Sequence, residues 1–287
     1  MEVFMPKKKP LFFLVLFLLT FFVFLAEDTE NSKIARRYLD KAIEYISSGS
    51  TYREALKFCN LAIKHDPGLA EAYYRRAEVK MGLTGSSEIM EDYNKAISLK
   101  PDYVWAYYSR AYLKSQEKDY KGALDDYGKC IELDPDFFRA YQKRGFLRFQ
   151  LKKTEEAIED FTQVIRLKPN SEYGYYLRGM ALFKSGNYQP ALKDFDMTLK
   201  LDKGDYMAKY YRGLIHFYLK NYKAAIKDLD YVEIHLGDKE KANVLYIRGM
   251  AKVHMKFHRS GCKELEKAAK LGHKEAVNAV KKYCPKK

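Results

Sequence analysis

Apolar residues recur along most of the chain at the three- and four-residue steps of a single helix face. In one stretch Tyr107 and Ala111 are followed by Ala123, Tyr127 and Cys130, the spacing a buried helical face requires. Glu117, Lys118 and Asp119 mark a turn between two such helices. Pro135 then stops the second helix and presets the entry to the next. The pattern predicts a helix hairpin, and a hairpin of this size cannot bury its apolar face alone.

The hairpin repeats. Pro67, Pro101, Pro135 and Pro169 stand 34 residues apart, each in a phrase such as His65-Asp66-Pro67. A small-residue column runs Ala77, Ala111, Gly145, Gly179 and Gly213, then Gly249 after a two-residue insertion. Another runs Ala55, Ile89, Ala123, Ala157, Ala191 and Ala225. An arginine precedes each member of the first column, at Arg76, Arg110, Arg144, Arg178, Arg212 and Arg248. Small side chains at these places let two helices approach closely, and stacking one hairpin on the next buries the faces that each leaves open.

This pattern resembles the tetratricopeptide repeat (TPR) family over nearly all of residues 33–272. The family's aromatic, small, small, aromatic, small, proline series reads here as Tyr107, Ala111, Ala123, Tyr127, Cys130 and Pro135. The following unit reads Tyr141, Gly145, Ala157, Phe161, Val164 and Pro169. Ile89, Lys203 in place of proline and Lys209 in place of the aromatic depart from it. The resemblance implies an all-α, right-handed α-solenoid of about seven helix-turn-helix units, starting near residues 33, 67, 101, 135, 169, 203 and 239. The first unit is degenerate, with Ile43 where a small residue belongs. The solenoid covers residues 27–272, and residues 273–287 form a capping helix, roughly Lys274–Tyr283, with a basic tail.

The first 26 residues read differently. Lys7, Lys8 and Lys9 precede an apolar run over residues 11–25, and Ala26 follows before Glu27 and Asp28. That is the layout of a secretory signal peptide. Uncleaved, the same segment is a membrane anchor through residues 7–26, although a run of about fifteen apolar residues is short against the roughly twenty a span needs. Either way the rest of the chain is expected outside the cytoplasm, in a periplasm or a secretory lumen. The stretch from Gly261 to Cys284 leans toward exported bacterial TPR proteins.

The resemblance also implies a superhelix whose inner groove is lined mainly by the first helix of each pair. Groove positions seven apart share a face. One column reads Glu71, Trp105, Arg139, Tyr173, Met207 and Asn243, and the other Glu78, Tyr112, Phe146, Met180, Leu214 and Met250. An apolar strip of this kind is either a binding site or a set of residues packed on one another by tight curvature. On the first reading Trp105 and Phe146 anchor a peptide or partner protein, with Tyr112, Tyr173, Met180, Met207 and Leu214 beside them. Arg139 and Lys143 then meet a carboxylate, unless they are an ordinary solvated face. The column Tyr74, Tyr108, Tyr176, Tyr210 and Tyr246 is more in keeping with packing. Chaperone-binding repeats hold a terminal carboxylate with five polar side chains; Arg139 and Lys143 match two of those places, but Tyr74, Glu78 and Ser109 occupy the rest. A clamp of that type is not expected.

Charge and chemistry narrow the function further. The 287 residues carry 52 Lys and Arg against 38 Asp and Glu. Residues 27–238 are nearly balanced, whereas residues 239–287 hold 14 basic and 4 acidic side chains. Such a basic end either touches an acidic partner or anionic lipid or simply keeps the open end of the stack soluble. No nucleic-acid motif is present. No P-loop, dinucleotide fingerprint, Gly-x-Ser-x-Gly elbow or His-Glu-x-x-His occurs, so no enzyme activity and no cofactor are expected. His254, His258 and Cys262 superficially suggest metal ligands, but a turn falls among them and no metal is expected. Cys262 and Cys284 either pair as a disulfide in an oxidising compartment or remain thiols; Cys59 and Cys130 read as small apolar fillers. The sequence therefore predicts a non-catalytic interaction scaffold, with a membrane-anchored assembly or chaperone-like factor for envelope proteins as the alternative.

Overall fold

The structure, a computed structural model, describes residues 10–49, 51–83 and 88–284, with backbone alone for residues 10–28, Ile234, Asp238 and Lys239. The signal-or-anchor expectation for residues 1–26 lies outside what is fully described. Among the residues described with side chains no helix is long and apolar enough to cross a membrane. The described residues form fifteen α-helices and no strand, and the chain divides into two compact units, Met1–Leu133 and Asp134–Lys287.

The first unit holds three hairpins: α1 (Pro10–Ser48) with α2 (Tyr52–His65), α3 (Ala70–Leu83) with α4 (Ile89–Leu99), and α5 (Val104–Gln116) with α6 (Tyr120–Leu133). The second holds α7 (Phe138–Gln150) with α8 (Thr154–Leu167), α9 (Glu172–Lys184) with α10 (Tyr188–Leu201), α11 (Tyr206–Tyr218) with α12 (Tyr222–Val232), and α13 (Asp238–His254) with α14 (His258–Lys270). The helix α15 (Lys274–Tyr283) packs on both α13 and α14. A 3-10 turn, Glu233–His235, absorbs the two-residue insertion ahead of α13.

Within each unit a helix packs most closely on its hairpin partner, and the second helix of a hairpin packs next on the first helix of the following one. In the second unit the first helices α7, α9, α11 and α13 also touch in succession, so they form one side of that stack. The turns between hairpins show why proline is dispensable at one of them. The Asp202 carboxylate accepts from the Gly204 N–H at 2.8 Å, as Asp66 does from Gly68 at 2.9 Å. This side-chain turn fixes the chain with Lys203 where the other repeats carry proline.

The small-residue columns sit at helix crossings. A Cβ on Gly261 would meet the Gly249 carbonyl oxygen at 2.8 Å and the Val253 nitrogen at 3.0 Å. Both neighbours are backbone, so only separation of α13 from α14 would relieve the clash. Gly261→Ala is expected to destabilise by about 1–3 kcal/mol, read as a lower midpoint in urea unfolding of the full chain. A midpoint equal to that of the wild type would show that the crossing is looser than described.

The arginine column has a structural partner. Sixteen residues after each arginine stands a buried acid: Asp92, Asp126, Asp160, Asp194, Asp228 and Glu264. Arg110 holds both oxygens of Asp126 at 2.8 and 2.7 Å, and Arg212 holds both of Asp228 at 2.7 Å. The remaining nitrogen reaches back to the preceding hairpin, from Arg110 to Asn94 at 2.7 Å and from Arg212 to Asp196 at 2.9 Å. Guanidinium groups also lie over the ring three residues earlier, as Arg110 does over Tyr107 at 5.4 Å. At Arg76, Arg110, Arg178, Arg212 and Arg248 the guanidinium thus joins two second helices, and its planar fork suits the task. A second cation adds to the joint at four of these acids, Lys114 on Asp126 at 2.9 Å among them. In the α11–α12 hairpin His216 occupies that place; its Nδ1 has no hydrogen-bond partner among the described residues, and burial holds its imidazole below the usual value.

Candidate functional site

Within the first unit, Trp105 opens α5 and Tyr112 follows two turns later, both exposed by about 40%. Trp105 rests edge-on against Tyr108 at 5.8 Å. It borders a cleft of about 530 Å³ that Arg36, Glu71, Arg75, Lys100 and Tyr103 also line. The acids of this face are already engaged. Glu71 accepts from Arg36 at 2.8 Å, while Glu78 accepts from Arg75 at 2.9 Å and from the Tyr74 hydroxyl at 2.8 Å. Burial first, and Glu78 second, push the Tyr74 phenol above its ordinary value. Tyr74 is therefore a buried donor to Glu78, unsuited to gripping a carboxylate from outside.

Within the second unit, Arg139, Lys143 and Phe146 lie on the exposed surface of α7, with Arg139 over the Phe138 ring at 5.2 Å. Tyr173 is 45% exposed and stacks on Tyr176 at 6.3 Å. Met180 and Met207 are half-buried. Leu214 departs from its expected place on an open strip. It is 7% exposed, packed with Val244, Ile247, Phe183 and Tyr210. Met250 is likewise buried, with Leu265 and, from α15, Ala279, Val280 and Tyr283 around it. The terminal helix covers Met250, and the approach of α13 to α11 covers Leu214. The column is consequently open at Phe146 and closed at its C-terminal end.

At that closed end Asn243 donates to the Tyr210 hydroxyl at 2.6 Å and its carbonyl lies 3.3 Å from His273 Nε2. The His273 ring stacks on Tyr246 at 4.4 Å. The tyrosine column is thus mainly packing: Tyr108 meets Tyr127, and Tyr176 meets Phe195 and Tyr211.

Cys262 and Cys284 are bonded as a disulfide, with their Cα atoms 5.7 Å apart, tying α14 to the end of α15. Cys59 and Cys130 are buried thiols, and burial pushes that of Cys59 up to about 12. His254 stacks on Tyr222 at 5.0 Å, and the Cys262 sulfur is taken up by the disulfide. Among the described residues no group of three or more His, Cys, Asp or Glu is arranged to hold a metal ion.

Three tetratricopeptide repeat family models match the chain, over residues 104–137, 147–186 and 176–239. No curated protein matches it. Among solved structures, PilF of Pseudomonas aeruginosa superimposes with a TM-score of 0.64 at 18% identity, covering 75% of this chain and 97% of its own. YrrB, described as a TPR protein with an unusual peptide-binding site, gives 0.61 at 23% identity, covering 67% and 99%. A TPR protein of Parabacteroides merdae gives 0.58 at 19% identity over 88% and 98%. At these identities the likeness is one of fold.

Proposed function

Because this chain belongs to the tetratricopeptide repeat family, whose repeats build protein-interaction scaffolds, we propose that it holds a peptide or partner protein on the first-helix face of either unit, without catalysis. The observation that carries this reading is the exposure of Trp105, Tyr112, Phe146 and Tyr173 at matching positions of α5, α7 and α9. Large aromatic side chains on rigid helices are the anchors that dominate most interfaces, and a preformed surface spares the receptor much of the ordering cost of binding. Arg139 and Lys143 supply charge next to Phe146, suited to a carboxylate of the ligand. Leu214 takes no direct part.

The site of action we infer is outside the cytoplasm, periplasmic or secretory. Lys7, Lys8 and Lys9 ahead of an apolar run support it, as does the Cys262–Cys284 pair, since disulfides persist in oxidising compartments. A second reading is a membrane-anchored assembly or chaperone-like factor, favoured by the same apolar run if it is retained and by the basic residues of α14 and α15, which suit an acidic partner or anionic lipid.

Affinity capture from a cell-envelope extract tests these faces. Wild-type protein is expected to retain a partner that a Trp105→Ala/Phe146→Ala variant, verified as folded by circular dichroism, releases. Equal retention by both would remove the first-helix faces from the account.

A further inference from the structure

One cleft of the second unit lies away from these faces. The helix α12 turns Ala225, Asp228, Leu229 and Val232 inward, and its opposite side carries Lys223, Lys227 and Asp230 at four- and three-residue spacing. That side, with Lys220 just before the helix and Met255 at the end of α13, lines an open cleft of about 1080 Å³. Tyr222, Ile226 and Met255 give it an apolar floor. The Tyr222 ring is fixed by stacking on His254 at 5.0 Å and leaning on Phe217 at 5.8 Å, so the floor is preformed.

The rim is unbalanced in charge. Asp230, the acid that lines this cleft, is already bound by Arg248 at 2.7 Å. Lys220, Lys223 and Lys227 are exposed and have no ion-pair partner among the described residues. Three ammonium groups thus border an apolar surface. An isolated surface lysine needs no explanation, but three unpaired ones around an apolar floor are complementary to a ligand that brings both carboxylates and a large apolar side chain. Lys223 and Lys227 stand one helical turn apart, about 6 Å along the axis, which matches acids spaced one turn apart on a helical ligand.

We propose that this cleft is a second docking site, for an acidic peptide segment that seats an apolar side chain on Tyr222, Ile226 and Met255 while its carboxylates meet Lys220, Lys223 and Lys227. The site shares no residue with the first-helix faces, so it stands or falls independently of them.

Fluorescence anisotropy on the purified full-length chain tests it, using a labelled peptide of repeated Glu-Glu-Leu-Phe and a Lys-Lys-Leu-Phe control. The acidic peptide is expected to bind saturably and more weakly as salt rises. Binding should fall at least tenfold in Lys223→Glu/Lys227→Glu and in Ile226→Asp, and stay unchanged in Trp105→Ala/Phe146→Ala. Lys223→Gln/Lys227→Gln, which alters only exposed positions, gives the same readout if the charge reversal disturbs folding. Absence of binding, equal binding of the basic control, or binding that survives the lysine substitutions would overturn the proposal. So would co-sedimentation with phosphatidylglycerol vesicles that depends on Lys223 and Lys227 when the peptide does not bind, which would assign the cleft to lipid.

Discussion

Asp160→Ala is expected to lower the stability of the second unit by about 3–5 kcal/mol, the range for breaking a buried ion pair by removing one partner. Asp160 is 2% exposed. It accepts from Arg144 Nη2 at 2.7 Å and from Arg148 Nη1 at 2.8 Å. Removing the carboxylate leaves two guanidinium groups partly buried between α7 and α8 with nothing to neutralise them. Asp196→Ala is the matched control: Asp196 also bonds an arginine of the column, Arg212, at 2.9 Å, but its side chain is 55% exposed. Its loss is expected to cost no more than about 1 kcal/mol, as for other exposed pairs. Thermal and urea unfolding of the two variants compare these directly. Similar losses in both would mean that the arginine column is a surface decoration and not a set of buried joints.

The second large effect concerns the end of the stack. Replacing Cys262 and Cys284 together by serine opens a loop closed across 22 residues, which the chain-entropy account values at about 3 kcal/mol. In a repeat protein, stability is a sum of local terms and unfolding need not be all-or-none. The loss should therefore appear first as faster amide hydrogen exchange in α14 and α15, with α7 to α10 little changed. Uncovering Met250 would follow, since α15 supplies part of its packing. Uniformly faster exchange across the second unit would contradict a local role. Unchanged exchange would show that packing on α13 already secures α15 without the bond.

The hairpins were legible in the sequence because their signals are local and repeated. Proline, the small residues and the aromatic steps recur with one period, and each acts within a single turn or crossing. The arginines were equally visible, but their acids were not, because Asp92, Asp126 or Asp228 reads by itself as an ordinary polar residue on a helix surface. Only their burial beside an arginine sixteen positions earlier identifies them. The groove columns were legible as positions and not as exposures. Trp105, Phe146 and Tyr173 are open, yet Leu214 and Met250 occupy equivalent places and are covered, because the covering comes from Val244 and Ile247 on α13 and from Ala279 and Val280 on α15. No spacing rule along one helix contains that information. The lysine-rimmed cleft was missed for a related reason: its floor joins Tyr222 and Ile226 to Met255 from another hairpin, and surface lysines at helical spacing look like solvation until their lack of partners is seen.

The most direct test of the interaction account is site-specific photo-crosslinking in cells. A benzophenone amino acid is placed at Phe146 or at Tyr173 on the first-helix face, and at Glu159, an exposed position on the opposing helix α8, as the control. The account predicts a discrete crosslinked partner from Phe146 and Tyr173 and none from Glu159. Crosslinks from Glu159 alone, or the same products from all three positions, would contradict it.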